Sequence, residues 1–460
     1  MAISLAFHIL FAVAGMAMPL LMALAEWRHQ RTGDPALREL AKRWAKGTAI
    51  LFAVGAVSGT ALSFELGLLW PEFMRHAGPL VGMPFSLEGF AFFLEAIFLG
   101  LYLYGWDKLS PRVHLLTGVG VALCGLTSAV FVTAVNAWMN NPVGYSVRGG
   151  QLVDIEPWAV MRNPTFLYEA VHVALSAYVA VPLAVLGIHA WGLLRAPDSA
   201  FHRHAFTLAL AVATVATPAQ MLSGHQSAEY LARAQPIKLA AAEGLYETRT
   251  HAPLAIGGYY DAARDELRYA IELPSGLSLL VHMDPAGVVQ GLEEVPPEDR
   301  PPVNVVHYAF DLMVLCGVAA LAYVGLGALL WLRRKPPWAR RWFLRLGLAV
   351  APLGLVAIEA GWTVTEVGRQ PWIIHGFMRT ADSVTPMPGL VSPLIVFTLL
   401  YVVLGVVVVA LLRNHVLAAT TTARADDDAD PRALVTSGER EPGDSLRAAL
   451  ARDLHEEGPR

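Results

Sequence analysis

Polar and apolar positions fall along this chain in long blocks rather than in short alternations. Runs of about 20 apolar residues, the length that crosses a bilayer as a helix, are separated by stretches carrying charge, proline or tryptophan. Nine such runs are expected to form spans, near residues 5 to 26, 47 to 68, 87 to 106, 113 to 136, 166 to 191, 204 to 223, 308 to 332, 344 to 366 and 389 to 412. The pattern therefore predicts an all-α polytopic membrane protein. The first run lacks a basic leader and a small-residue cleavage pattern and carries His8 and Glu26, so it is read as a retained helix and not a secretion signal.

The basic residues orient these spans. Arg28, Arg31, Arg38, Lys42, Arg43 and Lys46 follow the first run, and Arg333, Arg334, Lys335, Arg340 and Arg341 follow the seventh. Both loops belong on the cytoplasmic side, which puts the N-terminus outside, the C-terminus in the cytoplasm, and the loops after spans four, six and eight on the outer face. Four segments result: helices 1–6 over 1–223, an outer loop over 224–304, helices 7–9 over 305–413, and a tail over 414–460. The outer loop mixes Gly257-Gly258 with alternating residues from Leu267 to Leu273 and is expected to hold a hairpin; the acidic, apolar-poor tail reads as a disordered cytoplasmic segment.

Composition sharpens the class. The chain is 55% hydrophobic and 16% charged, with a net charge of −4, and shows neither a basic stripe suited to nucleic acid nor an internal repeat. Its two cysteines, Cys124 and Cys316, stand alone in apolar runs and read as packing residues. Trp70, Trp138, Trp158, Trp338, Trp342 and Trp372 mark span ends, where amphipathic rings favour the headgroup zone.

Against that background the ionisable residues inside the spans stand out, because each costs about 2.5 to 3.5 kcal/mol at the centre of a membrane helix. At about 100° per residue, Glu359, Trp362, Glu366 and Arg369 share one helix face. Glu88 and Glu95, seven residues apart, also share a face and suit a proton relay as well as a pair of protonated structural carboxyls. Glu65 and Asn136 are weaker instances. His8 and His172 suit haem iron, or a plain helix-end contact with headgroups; Met313 by residue type alone is a core methionine. With the orientation above, His8, Glu88, His172, Met313 and Glu366 all lie toward the outer ends of their spans, as a cofactor cluster near one membrane face requires.

Taken together, the motifs resemble subunit I of the cytochrome bd-type quinol oxidases. The runs that carry the resemblance are Phe7-His8, Leu87-Glu88-Gly89 with Phe92-Phe93-Leu94-Glu95, Tyr104-Gly105-Trp106-Asp107, Asn136 to Pro142, Lys238 to Glu243, and Glu359 to Trp372. The resemblance implies three haems: His8 would ligate the oxygen-reducing haem, of d type or a further b type, Glu366 the high-spin haem b, and His172 with Met313 the low-spin haem b. Trp362 and Arg369 would lie beside the haem at Glu366, Glu88 and Glu95 would deliver protons, and Lys238 with Glu243 would bind quinol. It also implies a second large membrane subunit, a small single-span subunit in some complexes, O2 as acceptor, and residence in the bacterial inner membrane, contributing to the proton motive force without pumping. Asp311 stands where the family often has arginine, and the outer loop is of the short form. From the residues alone, a haem-free proton-coupled transporter using the buried glutamates, or a di-haem electron-transfer protein that does not reduce O2, remain open.

Overall fold

The computed structural model describes residues 1–417, and residues Met1–Val408 form one compact unit, with a second beginning at Val409. The expected tail is therefore almost entirely outside the described residues. Among the described residues, nine helical segments are long and apolar enough to cross a membrane.

The first hairpin is α1 (Ala2–Thr32) and α2 (Pro35–Leu69). The turn between them ends α1 at Gly33, in the left-handed region at φ 71°, and caps α2 with Asp34, whose side chain accepts from the Ala36 N–H. That bond, together with His204, holds the Asp34 carboxyl below its usual range against the opposing effect of burial. Next come α3 (Pro71–Tyr104) and α4 (Pro111–Asn140), each opened by a proline at its first turn, where the missing N–H costs nothing. Strands β1 (Ser146–Arg148) and β2 (Gln151–Val153) form a hairpin, followed by the single turn α5 (Pro157–Val160) and the long pair α6 (Phe166–Arg195) and α7 (Ala200–Ala234).

The loop that follows contains α8 (Pro236–Glu243), ended by Gly244 at φ 64°. Then come β3 (Leu254–Ile256), β4 (Tyr259–Asp261), β5 (Glu266–Arg268) and β6 (Ile271–Leu273), with β4 and β5 paired inside the β3 and β6 pair. Helix α9 (Gly276–His282) and two short 3-10 turns lead to α10 (Val303–Leu332). The eighth crossing is two helices, α11 (Arg341–Val350) and α12 (Leu353–Val367), and not the single run expected, because Pro352 cannot continue the hydrogen-bond ladder of the helix before it. Strands β7 (Trp372–Ile374) and β8 (Met378–Arg379), the turn α13 (Thr380–Ser383) and α14 (Val391–Leu412) complete the described chain.

Helix α1 is central, packing on α2, α4 and α6, while α3 pairs with α4, α6 with α7, and α10 with α12. The main core is correspondingly built from α1, α2, α6 and α7, around Leu21, Met22, Leu40, Leu183, Phe206 and Leu210. Helices α2, α3 and α7 run well past the spans expected of them. Helix α3 begins 16 residues before residue 87, so Glu88 lies midway along it and not near its end.

Candidate functional site

His8 is set by the first hairpin alone. Its Nδ1 lies 3.0 Å from Ser58 Oγ, and the Ser58 hydroxyl donates its one hydrogen to the Gly55 carbonyl at 3.1 Å. Ser58 Oγ therefore accepts from His8, Nδ1 carries the hydrogen, and the Nε2 lone pair is left available. Gly59 makes room for the ring: a Cβ there would stand 2.9 Å from His8 Cε1. Glu95 is buried at 4% exposure with Oε1 lacking a partner, and the backbones of Gly15 and Gly125 flank it; Glu88 is half-buried. Glu65, by contrast, is saturated, taking Ser4 Oγ at 2.7 Å on either oxygen and the Tyr401 hydroxyl at 3.3 Å. It is a structural carboxylate.

A second cluster forms where α4, α8 and α12 meet. Glu366 Oε1 accepts from Asn136 Nδ2, and Oε2 takes Arg369 Nη2 at 2.6 Å. Asn140, one turn beyond Asn136, donates to the Asn136 carbonyl and side chain at 3.0 Å, and its Oδ1 accepts from Lys238 Nζ at 2.5 Å. A continuous hydrogen-bonded chain thus runs Lys238, Asn140, Asn136, Glu366, Arg369. Burial, reinforced by the Arg369 charge, pulls Lys238 well below the usual lysine range, and Glu169 and Glu366 oppose that fall. Glu169, which the sequence places one turn before His172 without giving it a role, belongs here by its charge. Arg369 is 3% exposed, yet its Nε and Nη1 have no partner.

His172, at the start of α6, faces Gln220 Nε2 of α7 at 3.0 Å from its own Nε2, with Gly224 beside it. Met313 of α10 presents its sulfur to Gly361 of α12, where a Cβ would lie 3.0 Å from Sδ. Trp362 is half-buried against the main core, and Glu359 Oε1 is buried without a partner; nothing in the structure explains Glu359.

Lys238 and Glu243 share α8, but five residues separate them, about 140° around the helix. They face different surroundings. Glu243 is 3% exposed, neither carboxyl oxygen has a partner within hydrogen-bond geometry, and burial followed by the Asp311 charge pushes its carboxyl up to about 8 against the pull of the nearby Ala255 backbone. Asp311 itself turns to the loop, accepting the Gly257 N–H at 2.7 Å.

These residues fit a haem protein. Single imidazole and thioether donors beside glycines, a carboxylate, and a buried guanidinium with two free donors suited to an anionic group are the provisions a haem macrocycle needs.

Comparison with known proteins agrees. The family model for cytochrome bd terminal oxidase subunit I matches residues 1–419. The chain is 38% identical over 413 residues to a putative cytochrome bd menaquinol oxidase subunit I of Bacillus subtilis (strain 168), covering 89% of this chain and 93% of the relative. It is 33% identical over 420 residues to that organism's cytochrome bd ubiquinol oxidase subunit 1, covering 88% and 89%. Among solved structures, bd oxidase from Geobacillus thermodenitrificans superposes with a TM-score of 0.84 at 42% identity, over 89% of this chain and 95% of that one.

Proposed function

Since this chain belongs to the cytochrome bd terminal oxidase subunit I family, and is thereby a multi-pass inner-membrane subunit of a quinol:oxygen oxidoreductase, we propose specific roles for its buried polar residues. The hydrogen-bonded chain from Lys238 to Arg369 carries the reading, because it ties the loop helix α8 directly to the carboxylate on α12. His8 Nε2 is free to ligate the oxygen-reducing haem, of d or b type; Glu366 the high-spin haem b; His172 and Met313 the low-spin haem b. Haem, when bound, supplies one-electron storage and the iron at which oxygen is reduced.

The residues of the chain do the rest. Asn136 and Arg369 hold both Glu366 oxygens, leaving lone pairs for a metal, and the free Arg369 donors pair with a propionate. Trp362, one turn before Glu366 on α12, would lie beside the same haem. Glu243 takes the proton of a quinol hydroxyl, which suits a carboxyl poised near neutral pH with no competing hydrogen bond. Lys238, on the other side of α8, orients the second quinol oxygen. Glu88 and Glu95 hand protons inward to the oxygen-reducing site from which bulk water is excluded. With the N-terminus outside, quinol protons are released on the outer face and oxygen protons drawn from the cytoplasm, which builds a membrane potential without pumping. A second large membrane subunit, with a small single-span subunit in some assemblies, completes the enzyme.

The test is a reduced-state optical spectrum with oxygen consumption on quinol. His8→Ala is expected to remove the oxygen-reactive haem signal and turnover together; a preparation of the assembled enzyme without haem bands sinks the reading.

A further inference from the structure

Helix α10 meets the loop through three polar side chains on one face. Asn304 pairs with Tyr260 of β4 as a neighbouring strand would: its Oδ1 accepts the Tyr260 N–H at 2.8 Å and its Nδ2 donates to the Tyr260 carbonyl at 2.9 Å. One turn on, His307 is fully buried, at 0% exposure. Its Nδ1 lies 2.7 Å from the Ala242 carbonyl oxygen and its Nε2 3.0 Å from the Gly257 carbonyl oxygen. Carbonyl oxygens only accept, so the ring donates to whichever of them faces its N–H. The Asp311 carboxylate, one further turn along and 3.6 Å from Nε2, accepts the Gly257 N–H.

Gly257 thus gives both its backbone groups to α10. The geometry demands glycine twice over: Gly257 sits at φ +67° and Gly258 at φ +105°, and a Cβ on Gly258 would approach the Arg268 carbonyl oxygen to 2.9 Å. The three segments gripped are β4, the turn before it, and the last turn of α8. The grip on α8 is at Ala242, the residue before Glu243.

We propose that Asn304, His307 and Asp311 form a positioning seam that fixes the quinol-oxidising segment on α10, and that Asp311 serves this loop and not a haem. This rests on the reading of Glu243 as the quinol-site carboxyl. The seam joins Ala242 of α8 and both backbone groups of Gly257 to one helix, which holds α8 and the Gly257 turn in register with each other. The place of the Glu243 carboxyl depends on the backbone that carries it, and His307 holds that backbone at the preceding residue.

The assembled oxidase carrying Asp311→Leu, Asp311→Asn or Asn304→Leu tests this. Haem spectra confirm assembly. Amide hydrogen exchange over residues 240–260 is read beside KM and kcat for whichever short-chain quinol, benzoquinol or naphthoquinol, the unsubstituted enzyme oxidises. Loss of the Asp311 bond is expected to speed exchange at the Gly257 turn and raise KM about tenfold, with kcat within about twofold, since one net hydrogen bond to a charged group is worth roughly that factor. Asp311→Asn, which keeps an acceptor oxygen, restores both. Unchanged exchange in Asp311→Leu and Asn304→Leu overturns the seam, and faster exchange with unaltered KM overturns its positioning role. An Asn variant as impaired as the Leu variant overturns the hydrogen-bond account. Failure of the underlying site is separate: Glu243→Gln turning over quinol with unaltered KM and kcat removes that reading whatever the exchange data give.

Discussion

Gly59→Ala puts the His8 assignment under direct load. A Cβ at position 59 would stand 2.9 Å from His8 Cε1, 3.5 Å from Nε2 and 3.6 Å from Nδ1. Carbon contacts are comfortable from about 3.5 Å, so the ring has to retreat by about half an ångström. It cannot do so freely, because Nδ1 is tied to Ser58 at 3.0 Å and Ser58 is tied to Gly55. Stretching that bond forfeits about 1 kcal/mol and turns Nε2 away from its aim. Loss of partners that orient a metal-bound histidine generally weakens metal affinity by about 10- to 100-fold, and an effect of that order is expected here. Helix propensity works the other way, since alanine is favoured over glycine mid-helix by roughly 0.5–1 kcal/mol, so a loss cannot be laid to a weaker fold. Gly55→Ala is the control: its Cβ would meet Phe11 at an ordinary 3.5 Å. The assay is haem per subunit by pyridine haemochrome with the reduced-minus-oxidised spectrum of the purified oxidase. Full haem content and turnover in Gly59→Ala, or an equal loss in Gly55→Ala, would refute the reasoning.

Arg369→Gln removes the 2.6 Å contact to Glu366 and two further buried donors, and is expected to alter the high-spin haem band and cut turnover by about tenfold or more, read by optical spectroscopy and oxygen uptake. Asn140→Leu strips Lys238 Nζ of its acceptor, an unsatisfied buried donor costing about 1–3 kcal/mol; quinol KM should rise while His8-dependent haem absorption stays as it was. Glu243 is raised from 4.5 to about 8, so the folded chain keeps a proton that the unfolded chain has lost. The stability this lends is whole below pH 4.5 and is lost as pH rises through about 8. Amide protection of α8 should therefore decline from mildly acid to mildly alkaline buffer, and the slope should flatten in Glu243→Gln; an unchanged slope counts against the assignment.

The spans were legible because little besides a membrane helix calls for an apolar run of bilayer length, and the rare charges inside them, Glu95 and Glu366 among them, advertised themselves by cost. Pro352 was visible too, but apolar residues on both sides of it hid the break between α11 and α12. The helix ends beyond the apolar runs, such as Pro71 to Ser86 of α3, carry polar and proline residues and gave no span signal. Long-range partners were beyond reach: Lys238 and Asn140 meet across 98 positions, and nothing in either residue names the other. Ser58 and Gly59 are unremarkable inside an apolar run, and only the packed hairpin shows what they do for His8. The separation of Lys238 and Glu243 around α8 could have been read from their five-residue spacing. The seam on α10 could be suspected only from the oddity of Asp311.

The two clusters differ in how much of the chain they require. The groups seen to hold the His8 ring, Gly55, Ser58 and Gly59, all lie on α2, so they are in place once the first two helices have paired. The Glu366 cluster waits for α4, α8 and α12, the last of them ending at residue 367. During vectorial synthesis the chain therefore finishes one of the two donors proposed to face iron early and the other only when nearly all of it has been inserted. Biogenesis thereby acquires an order, with the surroundings of His8 supplied by the first two helices and those of Glu366 by helices spread along the rest of the chain.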